Sequence, residues 1–168
     1  PGNFHAGEGV GLSGATPDAG WGVIGWIGSD NDASHASSNT VTMPADDHGV
    51  SVTYLELPAQ VTLISPADLF EALVGNVTFT WQSVENADRY TFEIRDMSTN
   101  AVLAKLRYAA SARCSEGTCS IPSPVALNSG SYKWHVVGSN QGLNGTWSLY
   151  HRLIVTVDGP RLRSPGDG

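Results

Sequence analysis

The sequence predicts an all-β protein, and three observations support this fold class. Through most of residues 58–158, apolar residues recur at every second position, the period of a strand with one buried face. Nineteen Gly and nine Pro residues supply many turns. Helical spacing extends over no more than one turn, at residues 68–73, where Gly75 ends it. We therefore expect short strands joined by tight turns.

Composition limits the classes of partner. Sixteen Asp/Glu and nine Lys/Arg give the 168 residues a formal net charge of −7, and the basic residues form no cluster. Nucleic acid and anionic membranes are therefore not expected as the main partners. No apolar run approaches the roughly 20 residues of a spanning helix, so membrane insertion is not expected either. The length fits one domain or two small ones.

Residues 1–57 are rich in Gly, Ser, Asn and Asp and contain three short apolar stretches. These are residues 22–32 (GVIGWIGSDND), 39–48 (NTVTMPADDH) and 50–54 (VSVTY). Together they resemble the bacterial internalin-B-type repeat, in which a GW.G strand is followed by a TVTMP strand and a closing V.V.Y strand. The resemblance covers about residues 4–55 and implies a small β-grasp-like unit.

Residues 58–158 contain longer alternating runs separated by turn signals such as Asn128-Ser129-Gly130. About seven short strands at this spacing predict a β-sandwich of ~100 residues. By their parity, four large aromatic residues belong to its core. The runs that show the alternation best are Val77–Trp81, Tyr90–Ile94 and Tyr132–Val136, and the expected core residues are Trp81, Tyr90, Tyr132 and Trp134.

The same zone resembles a bacterial fibronectin type III-like domain. Residues 127–136 (LNSGSYKWHV) are similar to its tyrosine corner and F strand, and residues 145–148 (GTWS) to the start of its G strand. Upstream, residues 79–81 (FTW) and 87–92 (ADRYTF) are similar to its B and C strands. The resemblance implies a seven-stranded sandwich over 58–158 that acts as a spacer or interaction module. It also implies that the Tyr132 hydroxyl bonds to backbone a few residues upstream.

Cys114 and Cys119 are the only cysteines, and four residues separate them. Zinc requires about four ligands, and no second Cys or His pair has ligand spacing. A redox CxxC motif has two intervening residues, so that reading does not fit. A local disulfide remains, and it places the protein outside the cytosol. We therefore expect an extracellular or bacterial cell-surface location.

Carboxylates are densest at two places, and these are weak candidates for a calcium site. Calcium takes six to eight oxygen ligands, but no D-x-D-x-D-G series with a closing Glu is present. Asp and Asn side chains also stabilise turns. Solvated turns are therefore the main interpretation, and no cofactor is expected apart from calcium as the weaker alternative. The residues concerned are Asp30, Asp32, Asp46 and Asp47.

Aromatic residues outside the expected core suggest a carbohydrate-binding surface as an alternative. Trp147, Tyr150 and Trp21 could stack on sugar rings if they project outward. Trp26 lies where the repeat family packs a core Trp. Aromatic residues of small β domains mostly serve the core, so this is the second choice.

Catalysis is not expected. The five His residues are scattered, with no HxH or HExxH motif. No G-x-S-x-G elbow is present, and no set of nucleophile, base and orienting residue can be identified. The protein is therefore predicted not to be an enzyme.

Residues 159–168 form a tail whose segment Leu162–Asp167 (LRSPGD) repeats the pattern of Leu63–Asp68 (LISPAD). The tail is similar to the first strand of a further sandwich, whereas the first zone is expected to lack an opening strand. One interpretation is a fragment of a longer tandem array. The other is head-to-tail assembly, in which the tail docks near residues 4–15 of the next chain. The candidate assembly residues are Phe4, Leu162 and Pro165.

The predicted function is a structural or adhesive module of a large extracellular bacterial surface protein or filament. Its expected partners are other copies of itself or neighbouring modules of the same protein. The alternative is a carbohydrate-binding accessory region of a secreted glycan-degrading enzyme, with cell-surface glycan as partner. The expected domains are residues 1–57, residues 58–158 and the tail 159–168.

Overall fold

A computed structural model describes residues 3–75 and 77–157, and these residues form two units. The first unit lies within residues 3–57 and 141–143, and the second within residues 58–140 and 144–157. Both consist of strands and turns, so the predicted all-β class is confirmed. α1 (Ala110–Arg113) is a single turn of helix, and no helix in the described part of the chain is long and apolar enough to span a membrane.

Two antiparallel sheets of two strands each form the first unit. β1 (Gly9–Leu12) pairs with β3 (Asn39–Thr42), and β2 (Trp21–Ile27) pairs with β4 (Ser51–Glu56). The three repeat-like motifs therefore fold as β2, β3 and β4. Within the described residues each of the four strands has one partner strand. The loop after β2 also bonds to β2 and β3, because the Trp26 N–H donates to the Asp32 carbonyl and the Asp30 N–H donates to the Thr40 carbonyl, each at 2.8 Å.

A register shift between Val23 and Gly25 determines which side chains of β2 are buried. In a regular strand Val23 and Trp26 would point to opposite faces, because three positions separate them. A bulge inserts one extra residue and restores a common face. Both side chains are consequently buried, together with Ala15, and the Trp26 indole Nε1 donates a hydrogen bond to the Ala36 carbonyl at 3.2 Å.

The second unit is a sandwich of a four-stranded and a six-stranded sheet. The four-stranded sheet has the order β10 (Cys114–Ser115), β11 (Thr118–Pro122), β7 (Thr78–Gln82) and β5 (Leu63–Ser65). The six-stranded sheet has the order β6 (Phe70–Leu73), β14 (His151–Thr156), β12 (Gly130–Asn140), β8 (Arg89–Asp96) and β9 (Val102–Ala109), and β13 (Leu143–Asn144) pairs with β12. Short strands β6, β10 and β13 extend the seven-stranded sandwich that the alternation predicts.

Aromatic side chains from both sheets fill the core between them. Phe79, Trp81 and Trp134 are fully buried. The ring centroids of Phe79 and Trp134 are 5.0 Å apart in an edge-on arrangement, and those of Trp81 and Tyr90 are 5.6 Å apart. Edge-to-face pairs of this kind stabilise a core beyond the area that they bury.

Residues 70–73 form strand β6 and not the helical turn that their spacing predicts. β6 runs parallel to β14, with Phe70 opposite Leu153. The carboxylate of Asp68 accepts a hydrogen bond from the backbone N–H of Arg152 at 2.7 Å, and the Leu69 N–H donates to the Arg152 carbonyl at 2.8 Å. These partners are more than 80 residues away in the sequence, so local spacing could not reveal the pairing.

Candidate functional site

The outer face of the six-stranded sheet contains a buried carboxylate. Strand pairing places Glu93 of β8 between Lys105 of β9 and His135 of β12. Glu93 points away from the core, because its strand neighbours Phe92 and Ile94 point into it. It is nevertheless only 2% exposed. Other side chains must therefore cover this part of the outer face.

Three basic side chains surround Glu93. Arg95 Nε lies 2.5 Å from Oε1, Lys105 Nζ lies 3.2 Å from Oε2, and His135 Nε2 lies 3.3 Å from Oε1. Burial acts to raise the pKa of Glu93, but the hydrogen bonds from Arg95 and Lys105 outweigh it and lower the pKa to about 2. The carboxylate is thus ionised at neutral pH and anchors its partners to the sheet.

A stack of three rings covers this carboxylate. The His135 ring lies 4.0 Å from the Trp147 ring and 3.9 Å from the Tyr150 ring, with interplanar angles of 20° and 18°. Two rings at this distance must occupy opposite faces of the imidazole. Lys105 Nζ lies 5.4 Å from the Trp147 centroid, and Lys133 Nζ lies 4.9 Å from the Tyr150 centroid. Because His135 fills one face of each aromatic ring, the ammonium groups lie over the other faces.

His135 favours its neutral form within this stack. Burial lowers its pKa below the ordinary value of 6.5, and the hydrogen bond to Glu93 opposes that shift. The neighbouring charges of Arg95 and Lys105 lower the pKa further. The stack is therefore a neutral imidazole held between two aromatic rings, with ionised groups along its sides.

A recess of about 330 Å³ opens beside the stack. We name it the Trp147 recess. It combines one aromatic ring with two cations, a hydroxyl and an amide. The lining residues are Thr91, Lys105, Leu106, Arg107, Asn144 and Trp147.

The four aromatic residues predicted for the core lie within it. Trp81, Tyr90 and Trp134 are fully buried, and Tyr132 is 6% exposed. The Tyr132 hydroxyl donates a hydrogen bond to the carbonyl of Asn128, four residues upstream, at 2.9 Å. This is the contact that the tyrosine corner requires.

The disulfide predicted between Cys114 and Cys119 is present. The two residues lie opposite each other at the edge pairing of β10 with β11. Cys119 is also opposite Trp81 of β7 and is fully buried. The bond therefore closes a small hairpin whose inner strand contacts the core.

The three carbohydrate candidates belong to different units. Trp147 and Tyr150 belong to the second unit, where His135 and the two lysines cover their ring faces. Trp21 belongs to the first unit and is 44% exposed. There it lines a cavity with Tyr54 and Asp18.

The carboxylates predicted as weak calcium candidates hold loops of the first unit together. Asp30 accepts a hydrogen bond from the Thr42 N–H at 2.8 Å, and Asp32 accepts from the Ser29 N–H and hydroxyl, each at 2.8 Å. These hydrogen bonds lower the pKa of both groups. Asp46 and Asp47 line a different cavity, beside Phe4. Among residues 3–75 and 77–157, no cluster of three or more acidic, His or Cys residues could hold a metal ion.

Of the predicted assembly residues, only Phe4 can be located, and its side chain is 45% exposed. Leu162 and Pro165 lie outside the described residues, as does the whole tail 159–168.

Sequence reasoning did not identify the cluster around Glu93. Glu93 and His135 occur at the polar positions of alternating strands, which predicts a solvated face. The sequence did contain one signal. Glu93 and Arg95 lie two positions apart on one strand, and so do Lys133 and His135 on another, so each pair shares a face of its strand. Trp147 covers them from a segment between strands, and its position depends on the tertiary structure.

Comparisons with known proteins give one family match. Residues 2–57 match the family model of the divergent InlB B-repeat domain, so the resemblance predicted for the first zone is confirmed. No curated protein matches the chain.

Matches among solved structures include fibronectin(III)-like modules of CbhA from Clostridium thermocellum, at 15% identity and a TM-score of 0.40. That match covers 59% of this chain and 98% of the other. Domains of titin match at 14% identity and a TM-score of 0.38, over 91% of this chain and 61% of the other. The resemblance expected for the second zone is thus also found among the matches.

Proposed function

We propose that this chain is a structural module of a large extracellular bacterial surface protein. The observation that supports this best is the match of residues 2–57 to a repeat-domain family. A second small β unit follows directly, at residue 58. Small β units in series are typical of tandem arrays, where each module contributes length and spacing.

The disulfide supports an extracellular location for this module. Disulfides persist in oxidising compartments and are rare in the cytosol of most organisms. Cys114 and Cys119 are both engaged in the bond, and no free cysteine is present. A reducing cytosol would open the hairpin that they close.

The surroundings of His135 support a non-catalytic role. Its ring contacts Glu93, Trp147 and Tyr150, and none of these is a Ser or Cys nucleophile. The imidazole lies between two aromatic rings and is 8% exposed. A general base must reach the proton that it abstracts, and this arrangement leaves it little access.

Head-to-tail assembly belongs to the same proposal. Within the described residues β1 and β4 of the first unit each pair with a single strand, and a strand edge without a partner strand invites pairing with another chain. Phe4 is half-exposed near these strands. The tail 159–168 is the segment that would pair with the next chain, and contacts of this kind generate filaments when they do not close into a ring.

Three experiments test this proposal. Alkylation of unreduced native protein should leave Cys114 and Cys119 unmodified, and immunogold labelling should mark the surface of intact cells. Two alkylated thiols, or label only inside the cells, would contradict the location. For assembly, sedimentation of the full chain should show oligomers that disappear on deletion of residues 159–168. A monomer at all concentrations would exclude assembly and leave the spacer role standing.

A carbohydrate-binding accessory role is the second candidate, and the Trp147 recess is the observation that favours it. Affinity electrophoresis in gels containing soluble polysaccharides tests it. Retardation that Trp147→Ala abolishes would support binding, and unchanged mobility in every gel would exclude it.

A further inference from the structure

Positive charge is distributed very unevenly along this chain. The first 57 residues contain no Lys or Arg, so their seven acidic residues account for the whole formal charge of −7. The nine acidic residues that remain are balanced by nine Lys/Arg in residues 58–168. The cations of the second zone are therefore the side chains that could hold an anion by charge. The acidic residues of the first zone are Glu8, Asp18, Asp30, Asp32, Asp46, Asp47 and Glu56.

Two of these cations lie side by side on the outer face of β9. Lys105 is opposite Glu93 and Arg107 is opposite Thr91, so both side chains point away from the core. Two residues along a strand correspond to about 7 Å. Both cations line the Trp147 recess.

The two cations differ in their partners. Lys105 forms an ion pair with Glu93 and lies over Trp147. Arg107 is exposed, and its guanidinium forms no ion pair or hydrogen bond with any residue in the described part of the chain. An unpaired guanidinium at the rim of a recess can accept a planar anion in a bidentate contact.

The other lining groups suit the remaining surface of a sugar. The two faces of Trp147 are covered, so only the edge of its ring can contact C–H groups, and the Thr91 hydroxyl and Asn144 amide offer hydrogen bonds for sugar hydroxyls. The volume of about 330 Å³ is at the lower end of the ~300–1,000 Å³ typical of small-molecule sites.

We propose that the Trp147 recess binds an anionic saccharide, with Arg107 and Lys105 holding its carboxylate or sulfate group. This inference rests on the carbohydrate alternative and is independent of the structural role. A neutral sugar that needs an open ring face finds none here, because His135 and Lys105 cover Trp147. An acidic group, in contrast, meets Arg107 directly.

Isothermal titration of the full chain at low salt tests the proposal with four probes. These are a polygalacturonic acid pentasaccharide, a heparin-derived hexasaccharide, neutral cellopentaose and a penta-glutamate peptide. We expect at least one acidic oligosaccharide to bind, cellopentaose and the peptide not to bind, and the Trp147 indole N–H resonance to shift on binding. The two acidic oligosaccharides distinguish a carboxylate from a sulfate as the preferred group.

Arg107→Ala should weaken binding by about tenfold or more, because one charge-assisted contact is lost. Arg113→Ala is the matched control. It removes the same charge from a residue that stacks on Tyr108 and does not line the recess, so affinity should change less than about twofold. Arg107 is exposed, so the variant should keep the native circular dichroism.

Three results would overturn the inference. They are no binding of either acidic oligosaccharide, equal losses for Arg107→Ala and Arg113→Ala, and binding of the glutamate peptide as tight as that of the saccharides. If the first of these results is accompanied by binding of cellopentaose, the broader carbohydrate role remains intact.

Discussion

Oε1 of Glu93 lies 3.3 Å from Nε2 of His135, although 42 positions separate the two residues in the sequence. The pairing of β8 with β12 places them opposite each other. On the face of the sheet that alternation predicts to be wet, this pair is almost fully buried. The contact shows that the second unit has a polar cluster in addition to its apolar core.

Glu93→Gln should lower the free energy of unfolding of the second unit by about 1–3 kcal/mol. The substitution keeps the side-chain volume but leaves Arg95 and Lys105 without their charged acceptor. Urea denaturation followed by circular dichroism measures the change. The exposed Glu85→Gln is the control and should change stability by less than about 0.5 kcal/mol. Equal effects of the two substitutions would mean that the cluster does not stabilise the fold.

Stability of the second unit should decrease as pH falls below about 6.5, because of His135. Its pKa in the folded protein lies below the ordinary value of 6.5, so the unfolded state binds more protons in this range. The contribution is fully present above pH 6.5 and is lost progressively on acidification. Urea denaturation from pH 8 to pH 5 measures it. His135→Phe, which keeps a ring in the stack, should flatten this dependence, and the exposed His5→Gln should not.

At lower pH, the titration of Glu93 should dominate the pH dependence of the stability of the second unit. Its pKa is about 2 in the folded protein and 4.5 ordinarily, so its stabilising contribution is present above pH 4.5. That contribution is lost as pH falls from 4.5 to about 2. The Glu93→Gln variant should therefore lose less stability than the parent protein across this range. Parallel curves for the two proteins would contradict this expectation.

Trp81→Ala should cost about 3–5 kcal/mol, because it removes a fully buried ring that packs against Tyr90. A domain of this size has a total stability of about 5–15 kcal/mol, so the variant approaches unfolding. Thermal melting followed by tryptophan fluorescence reports the loss. Leu149→Ala, at a side chain 79% exposed in the same unit, is the control and should change little. A loss below about 1 kcal/mol for Trp81→Ala would mean that the ring is not part of the core.

Gly145→Ala should destabilise the second unit by about 1–3 kcal/mol or more. A Cβ at this position would lie 2.0 Å from the backbone carbonyl oxygen of Pro58, and a backbone atom cannot move aside cheaply. Gly11→Ala, where a Cβ meets nothing within 4 Å, is the matched control. Differential scanning calorimetry of both variants gives the comparison. Equal melting temperatures would show that residues 58 and 145 do not approach this closely.

The strands that the sequence predicted well are those with a strict two-residue period. Alternation places Phe79 and Trp81 on the apolar face of β7 and Trp134 on the apolar face of β12, and the structure buries all three. For residues 70–73 the sequence predicted a helical turn, but they form a strand. A run of four residues is too short to show a two-residue period, and its partner is a parallel strand far away in the sequence. In β2, the bulge after Val23 changes the parity within one strand, and only the partner strand reveals it.

Local pattern by itself determined the all-β class, the repeat-like first zone, the apolar faces of β7, β8 and β12, and the pairing of two nearby cysteines. These features depend on residues close together in sequence, where the chain's own periodicity and loop length set the outcome. The tertiary structure alone decided that Glu93 is buried, that His135 lies between Trp147 and Tyr150, and that Arg107 faces the recess. Each of these depends on which strands become neighbours and on where an irregular segment crosses them, and no local period encodes either choice.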